Sequence, residues 1–159
     1  MRAVIQRVRE TTLKVEGELI AKIPSGWAVY LGVAPLDTET DAATMAKKIA
    51  ALRIFEDAQG KMNLSTGVGR RVEDVLSAFR DAGGEVLLIS QFTLYGDCTH
   101  GNRPSFIGAA RPEYAKPLYE KVAELLRRAE GLAVQTGIFG ADMKIEQYND
   151  GPVTILYEC

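Results

Sequence analysis

The side chains that usually advertise chemistry are scarce in this chain: among 159 residues there is one histidine, His100, and there are two cysteines, Cys98 and Cys159. That inventory falls short of the tetrahedral nitrogen and sulfur ligand set of a structural zinc site. It also provides no disulfide framework, which suits a reducing compartment. Any Ser-His-Asp or Cys-His arrangement would have to use His100. Cys98 and His100 are close in sequence, but they sit in GDCTHGN at 96–102, a loop by composition, so the plainer reading is a pair of solvent-side residues. A Walker A loop and a G-x-G-x-x-G turn after a strand are also missing, so neither a metal nor a nucleotide cofactor is expected.

Long hydrophobic runs are equally lacking. Stretches such as Trp27 to Leu31 and Val86 to Ile89 are far too short to cross a bilayer, and the opening MRAVIQRVRE has no signal-peptide architecture. The expectation is a cytoplasmic protein with no membrane partner. Nor is there an excess of charge: 19 Lys and Arg against 21 Asp and Glu give a net charge of −2. Coating a nucleic acid needs many Lys/Arg–phosphate contacts, so a broad basic face is excluded while a small local contact with RNA is not. The basic clusters Arg2, Arg7, Arg9 and Arg70, Arg71 read as surface charge.

What is present fits one globular domain over residues 1–159, with 47% hydrophobic and 25% charged residues. Residues 2–9, 12–23 and 27–33 pattern as strands, with Gly17-Glu18 and Pro24-Ser25-Gly26 supplying turns. Thr40 to Leu52 has Ala42, Met45, Ala46 and Ile49 at helical spacing behind Asp37-Thr38, a suitable cap. Arg53 to Glu56 reads as a short strand with a turn at Asp57 to Gly60. Ser65 to Gly84 reads as an extra helix, from Val72, Val75, Leu76 and Phe79. A buried strand at 86–92 precedes a long helix from Pro112 to Glu130, proline near its start and Gly131 past its end. Beyond Leu132 the pattern is again that of strands. Met143 to Tyr148 and Val153 to Tyr157 look like hairpin partners around Asn149-Asp150-Gly151, with Pro152 opening the second strand. This order does not alternate strand and helix, which favours an α+β fold with a largely antiparallel sheet.

One strand end carries hydroxyls and an amide: Ser90, Gln91 and Thr93 follow the apolar run ending at Ile89. The segments MRAVIQRV at 1–8, RIFEDAQGKMNLS at 53–65, SQFTLY at 90–95, RPSFIGAA at 103–110, TGIFGADM at 136–143 and NDGPVT at 149–154 together closely resemble the D-aminoacyl-tRNA deacylase family. The similarity runs in order over nearly the whole chain. The stretch from about residue 66 to 82 departs from it by being longer than the connection usual in bacterial members.

The resemblance implies a homodimer of α+β domains, each a barrel-like sandwich of sheets with two or three packed helices, and active sites at the subunit interface. It implies hydrolysis of the ester joining a D-amino acid to the 3′ end of tRNA; the scarcity of Cys and His points to a reaction without metal or cofactor, and a filter that works by clash would also pass glycine, which has no Cβ. The resemblance places Ser90, Gln91, Phe92 and Thr93 at the catalytic site and Phe139 and Met143 against the substrate. Gly151 and Pro152, joined by a cis bond and inserted into the partner's pocket, become the reader of chirality, braced by Arg7. An enzyme that accepts many D-residues must read the stereocentre, and a rigid backbone wall does so by excluding an L side chain. Backbone N–H groups around Phe92 and Thr93 are candidates to hold the oxyanion. Thr93 is alternatively a nucleophile, although no base stands out to activate it. The family reading in which the 2′-hydroxyl of the terminal adenosine assists hydrolysis suits a chain so poor in catalytic side chains. The rival from another class is a non-catalytic nucleic-acid-binding dimer.

Overall fold

The computed structural model describes residues 1–52, 84–128 and 131–159. The expected strand at 53–56, the helix within 65–84 and the Arg70-Arg71 cluster therefore lie outside the described residues, apart from Gly84. The described elements are β1 (Arg2–Val15), β2 (Glu18–Ile23), β3 (Gly26–Gly32), α1 (Glu39–Ala51), β4 (Glu85–Ser90), a 3₁₀ turn (Phe92–Tyr95), α2 (Pro112–Arg128), β5 (Val134–Thr136) and β6 (Met143–Glu158).

β1 organises the sheet. One edge pairs antiparallel with β3 over Arg2 to Val8 and then with β2 over Thr11 to Val15, while the other edge pairs with β6 along its whole length. The sequence pattern broke this strand at residues 10 and 11. The chain instead stays extended, absorbs the irregularity as a register shift between Val8 and Glu10, and turns at Glu16-Gly17, both with positive φ. Consecutive positive φ values match the twist of a tight hairpin.

The sheet is largely antiparallel, as expected, through the pairing of β1 with β2, β3 and β6, but β3, β4 and β5 pair in parallel, which the sequence pattern did not indicate. The reason is legible in retrospect: GWAVYLG and EVLLIS are near-continuous apolar runs, as strands buried on both faces must be. β2 curls back to β5, where the Gln135 amide accepts from Lys22 N–H at 2.9 Å and donates to the Lys22 carbonyl and to Glu85. The sheet is thus nearly closed into a barrel. One face, with Ile5, Val29 and Leu88, is covered by α1 and α2, and the interior of the curl holds Val8, Leu13, Ile23, Leu87 and Ile89. At the start of β3, a Cβ on Gly26 would lie 1.8 Å from the Glu85 carbonyl oxygen, and φ is +138°. Only glycine lets the two backbones meet there.

Helix α1 begins where Thr38 donates its N–H and hydroxyl to the Asp41 carboxylate, each at 2.7 Å. Those bonds hold the Asp41 carboxyl below its ordinary pKa. In α2 the buried stripe Ala115, Leu118, Tyr119, Val122, Ala123 and Leu126 faces the sheet. The Tyr119 hydroxyl donates to the Leu88 carbonyl at 2.7 Å, pinning helix to strand, and burial raises its pKa far above that of a free phenol. No helix of the described residues is long and apolar enough to cross a membrane.

The expected C-terminal hairpin is not formed. Residues 143 to 158 make one strand, interrupted by a bulge: Gln6 pairs with Thr154 and Val8 with Asn149, so Arg7 alone stands opposite Asp150 to Val153. Asn149-Asp150-Gly151 has turn chemistry, but the long partner strand β1 outcompetes a local hairpin by pairing with both flanks. The surplus residues loop out as a bulge.

Candidate active site at the end of the central parallel strands

Ser90 ends β4, opposite Leu31 of β3, and Gln91 N–H donates to the Leu31 carbonyl at 2.8 Å before the chain tightens into the 3₁₀ turn. The strand expected to reach Phe92 therefore stops at Ser90. The turn packs against a bare backbone, since a Cβ on Gly32 would lie 3.0 Å from both the Gln91 carbonyl oxygen and the Tyr95 ring. Arg2 fastens it from outside by donating to the Leu94 carbonyl at 2.6 Å and covering the Tyr95 ring, 4.8 Å from the centroid. Burial pushes the Tyr95 phenol up to about 12.

Beside this turn opens a cavity of about 620 Å³. Ser90, Gln91 and Phe92 form one side, and Phe139 and Met143 form another, so five of the residues predicted for the site share one wall system. Phe139 leans on Tyr119 with ring centroids 5.7 Å apart. Phe92 meets Phe106 edge to face at 5.1 Å. Phe106, Ala109, Ala110 and Pro112 also line the cavity, and the sequence reading assigned them no individual role. For Phe106, Ala109 and Ala110 the signal was the apolar run of Phe106-Ile107 and the paired alanines at the end of a segment that begins polar and loop-like, GNRPSFIGAA. Thr93, also predicted for the site, is not among the residues lining the cavity; it is exposed in the 3₁₀ turn and accepts a hydrogen bond from the Gln91 amide. Cys98 and His100 are both exposed, in a loop closed by the Asp97–Ser105 backbone pair.

The other motif lies elsewhere on the chain. Arg7, a surface charge by composition and a brace of the Gly151-Pro152 loop by resemblance, is 4% exposed. Its Nε pairs with the Asp150 carboxylate at 3.1 Å and lies 3.3 Å from the Asp150 carbonyl oxygen, while Arg9 holds the other carboxylate oxygen at 2.9 Å. Gly151 and Pro152 are exposed at the crest of the bulge, their peptide bond is cis, and Gly151 has φ +122°. Gln147 secures the base: it accepts from the Tyr30 hydroxyl at 3.0 Å and donates to Gln6 at 2.8 Å and to Asn149. Arg7 is opposite Trp27, whereas Ser90 is opposite Leu31. At the rise of an extended strand that separation is about 13 Å along the sheet, with β1 and β3 also lying between β6 and β4. Among the described residues of one chain, the cavity beside Ser90 is lined by neither Arg7, Gly151 nor Pro152.

Residues 4–158 match the family described as D-Tyr-tRNA(Tyr) deacylase. The chain belongs to this family. It is 52% identical over 158 residues to a D-aminoacyl-tRNA deacylase of Myxococcus xanthus, covering 99% of this chain and 94% of that one. Identity to the protein of the same name from Thermus aquaticus is 49%, with 99% and 95% covered. Among solved structures, one named c-Myc DNA Unwinding Element Binding Protein superposes with a TM-score of 0.83 at 38% identity, covering 100% of this chain and 99% of the other. A second, described as a "probable eukaryotic D-amino acid tRNA deacylase", shares the fold with a TM-score of 0.77 at 15% identity, covering 98% and 97%.

Proposed function

We propose that residues 1–159 form one deacylase domain, acting in the cytoplasm, that hydrolyses the ester between a D-amino acid, or glycine, and the 3′ end of tRNA. Family membership supports the reaction, and the cavity joining Ser90, Gln91 and Phe92 to Phe139 and Met143 is the observation that carries its location. An aminoacyl ester is already activated, so positioning, a water and oxyanion stabilisation suffice. Water adds to the ester carbonyl, the oxygen takes up negative charge, and collapse expels the terminal ribose oxygen, which recovers a proton to leave free amino acid and tRNA. Within the 3₁₀ turn the hydrogen bonds begin with Leu94 N–H to the Gln91 carbonyl. The N–H groups of Phe92 and Thr93 come before that bond and are assigned to the oxyanion. Thr93 positions substrate in this scheme, its hydroxyl already engaged by the Gln91 amide.

Chirality is assigned to the Gly151-Pro152 crest of a second copy of the chain. The separation of the two motifs supports this, as does β6, a long strand that pairs only with β1 among the described residues and exposes Tyr148 and Leu156. Unpaired strand edges of this length are natural pairing surfaces. The assay that tests the function offers D-Tyr-tRNA and L-Tyr-tRNA to the purified protein without added metal: rapid release of D-tyrosine alone is expected. Retention of both esters, with tRNA or DNA bound, would favour the non-catalytic reading suggested by the name of the DNA-binding relative.

A further inference from the structure

Among the described residues the arginines fall into two groups. Arg2, Arg7, Arg9, Arg127 and Arg128 each engage a carboxylate or a backbone carbonyl of the chain. Arg103 and Arg111 do neither, and both are exposed. They bracket the segment that supplies Phe106, Ala109 and Ala110 to the cavity, and Pro112, the next lining residue, follows Arg111 directly. The backbone beneath them is fixed. Asp97 and Ser105 exchange N–H···O bonds of 2.8 and 2.9 Å around the loop of Arg103, Ala110 N–H donates to the Val33 carbonyl at 2.8 Å, and the Arg111 carbonyl accepts from Ala115 N–H at 2.9 Å. From Cys98 to Pro112 the chain carries no acidic side chain. Asp97, at the base of the loop, accepts from Thr99 N–H at 2.8 Å, and Asp142, on the cavity wall, pairs with Lys144 at 2.9 Å.

We propose that Arg103 and Arg111 form a phosphate-binding rim, which holds the backbone of the RNA strand whose charged 3′ end is presented to the cavity. This rests on the deacylase reading above and adds to it the surface that grips the nucleic-acid part of the substrate. Two guanidinium forks on a fixed backbone, with no carboxylate of the chain claiming them, suit phosphodiester oxygens, which a planar fork meets two bonds at a time. The net charge of −2 excludes a broad basic face, and two cations at one mouth are the small local contact that remains. Phosphate contacts position a strand without reading its bases. The rim therefore acts on binding, while the 3₁₀ turn acts on the ester.

The test compares D-Tyr-tRNA with the D-tyrosyl ester of adenosine, which has the same reacting bond and no phosphate, for the wild type, Arg103→Gln, Arg111→Gln and the double variant. Lys47→Gln, on α1, which lines no part of the cavity, is the control for net charge. The double variant should lose about tenfold or more in kcat/KM on D-Tyr-tRNA, through KM with kcat kept, and nothing on the adenosine ester. Each single substitution should also make the fall of kcat/KM with salt shallower, by about 0.7 in the log–log slope, the share of one single-strand phosphate contact. Equal losses on both esters would overturn the proposal by placing the arginines in the chemistry or the fold. Unchanged hydrolysis of D-Tyr-tRNA, an unaltered salt slope, or the same loss in Lys47→Gln overturns it too. Wild-type protein inactive on both esters would instead refute the deacylase reading, and this proposal with it.

Discussion

Thr93 and Gly151 carry opposite expectations, and each follows from what surrounds it. Thr93 is exposed and its hydroxyl accepts from the Gln91 amide, which is no base, so nothing there raises its nucleophilicity. Thr93→Val, which keeps the shape, should retain turnover within about tenfold of wild type in a single-turnover assay on D-Tyr-tRNA; a fall to the uncatalysed rate would restore Thr93 as the attacking group. At Gly151 a Cβ would lie 2.8 Å from the Val153 nitrogen at φ +122°, with the Arg7 guanidinium 3.4 Å away. Gly151→Ala therefore forces the crest to shift, and D-substrate hydrolysis should drop at least about tenfold, since small misplacements of positioning groups are costly. If the crest excludes L side chains by clash, glycine, having no Cβ, passes the filter. Gly-tRNA should be hydrolysed while L-Ala-tRNA is spared, and equal resistance of the two would sink the exclusion mechanism.

Elements were legible wherever local pattern and tertiary demand agreed. Helix α1 starts one residue from its expected position because Thr38, one of the two residues expected to cap it, does so, with Asp41 as a partner the sequence pattern had not singled out. The C-terminal hairpin was misread because turn residues signal local chemistry, whereas β1, far away in sequence, decides where both flanks pair. The parallel pairing of β3 with β4 was also missed, and Gly26 shows what that pairing demands. Gly26→Ala would drive a methyl into the Glu85 carbonyl and should cost roughly 4 kcal/mol or more in urea unfolding, the range of substitutions with no room to relax. The 3₁₀ turn adds a pH signature. Burial holds the Tyr95 phenol protonated to about 12, against 10.0 for an ordinary phenol. The raised value means its contribution is fully present below pH 10.0 and is lost as pH climbs toward the folded value. Tyr119 shifts in the same direction. Melting temperature should thus fall less steeply between about pH 10 and about pH 12 in Tyr95→Phe than in wild type. An equally steep fall would mean that other groups control alkaline unfolding.

At the scale of the whole molecule the question is whether one chain makes a site. The two motifs were legible in the sequence as a resemblance, but their placement was not, because it depends on the register of β1 against β3 and β6. That register puts the crest about 13 Å along the sheet from Ser90, by strand rise alone. If each site joins Ser90 to Thr93 of one chain to Gly151 and Pro152 of its partner, damage to the two motifs is separable between subunits. A variant altered at Gln91 and Phe92 and a Gly151→Ala variant should each be impaired at least about tenfold as homodimers. A heterodimer of the two has one site in which both motifs are intact and one in which both are damaged. Random association from an equimolar mixture makes about half the dimers mixed, each with one working site of two, so about a quarter of wild-type activity should return. Subunit exchange by joint refolding or co-expression is required, and mixing without exchange serves as the control. Failure of activity to return, in dimers shown to be mixed, would place both motifs of a site on the same chain. A Gly151→Ala homodimer as active as wild type, before any mixing, would mean that the crest is dispensable to the reaction.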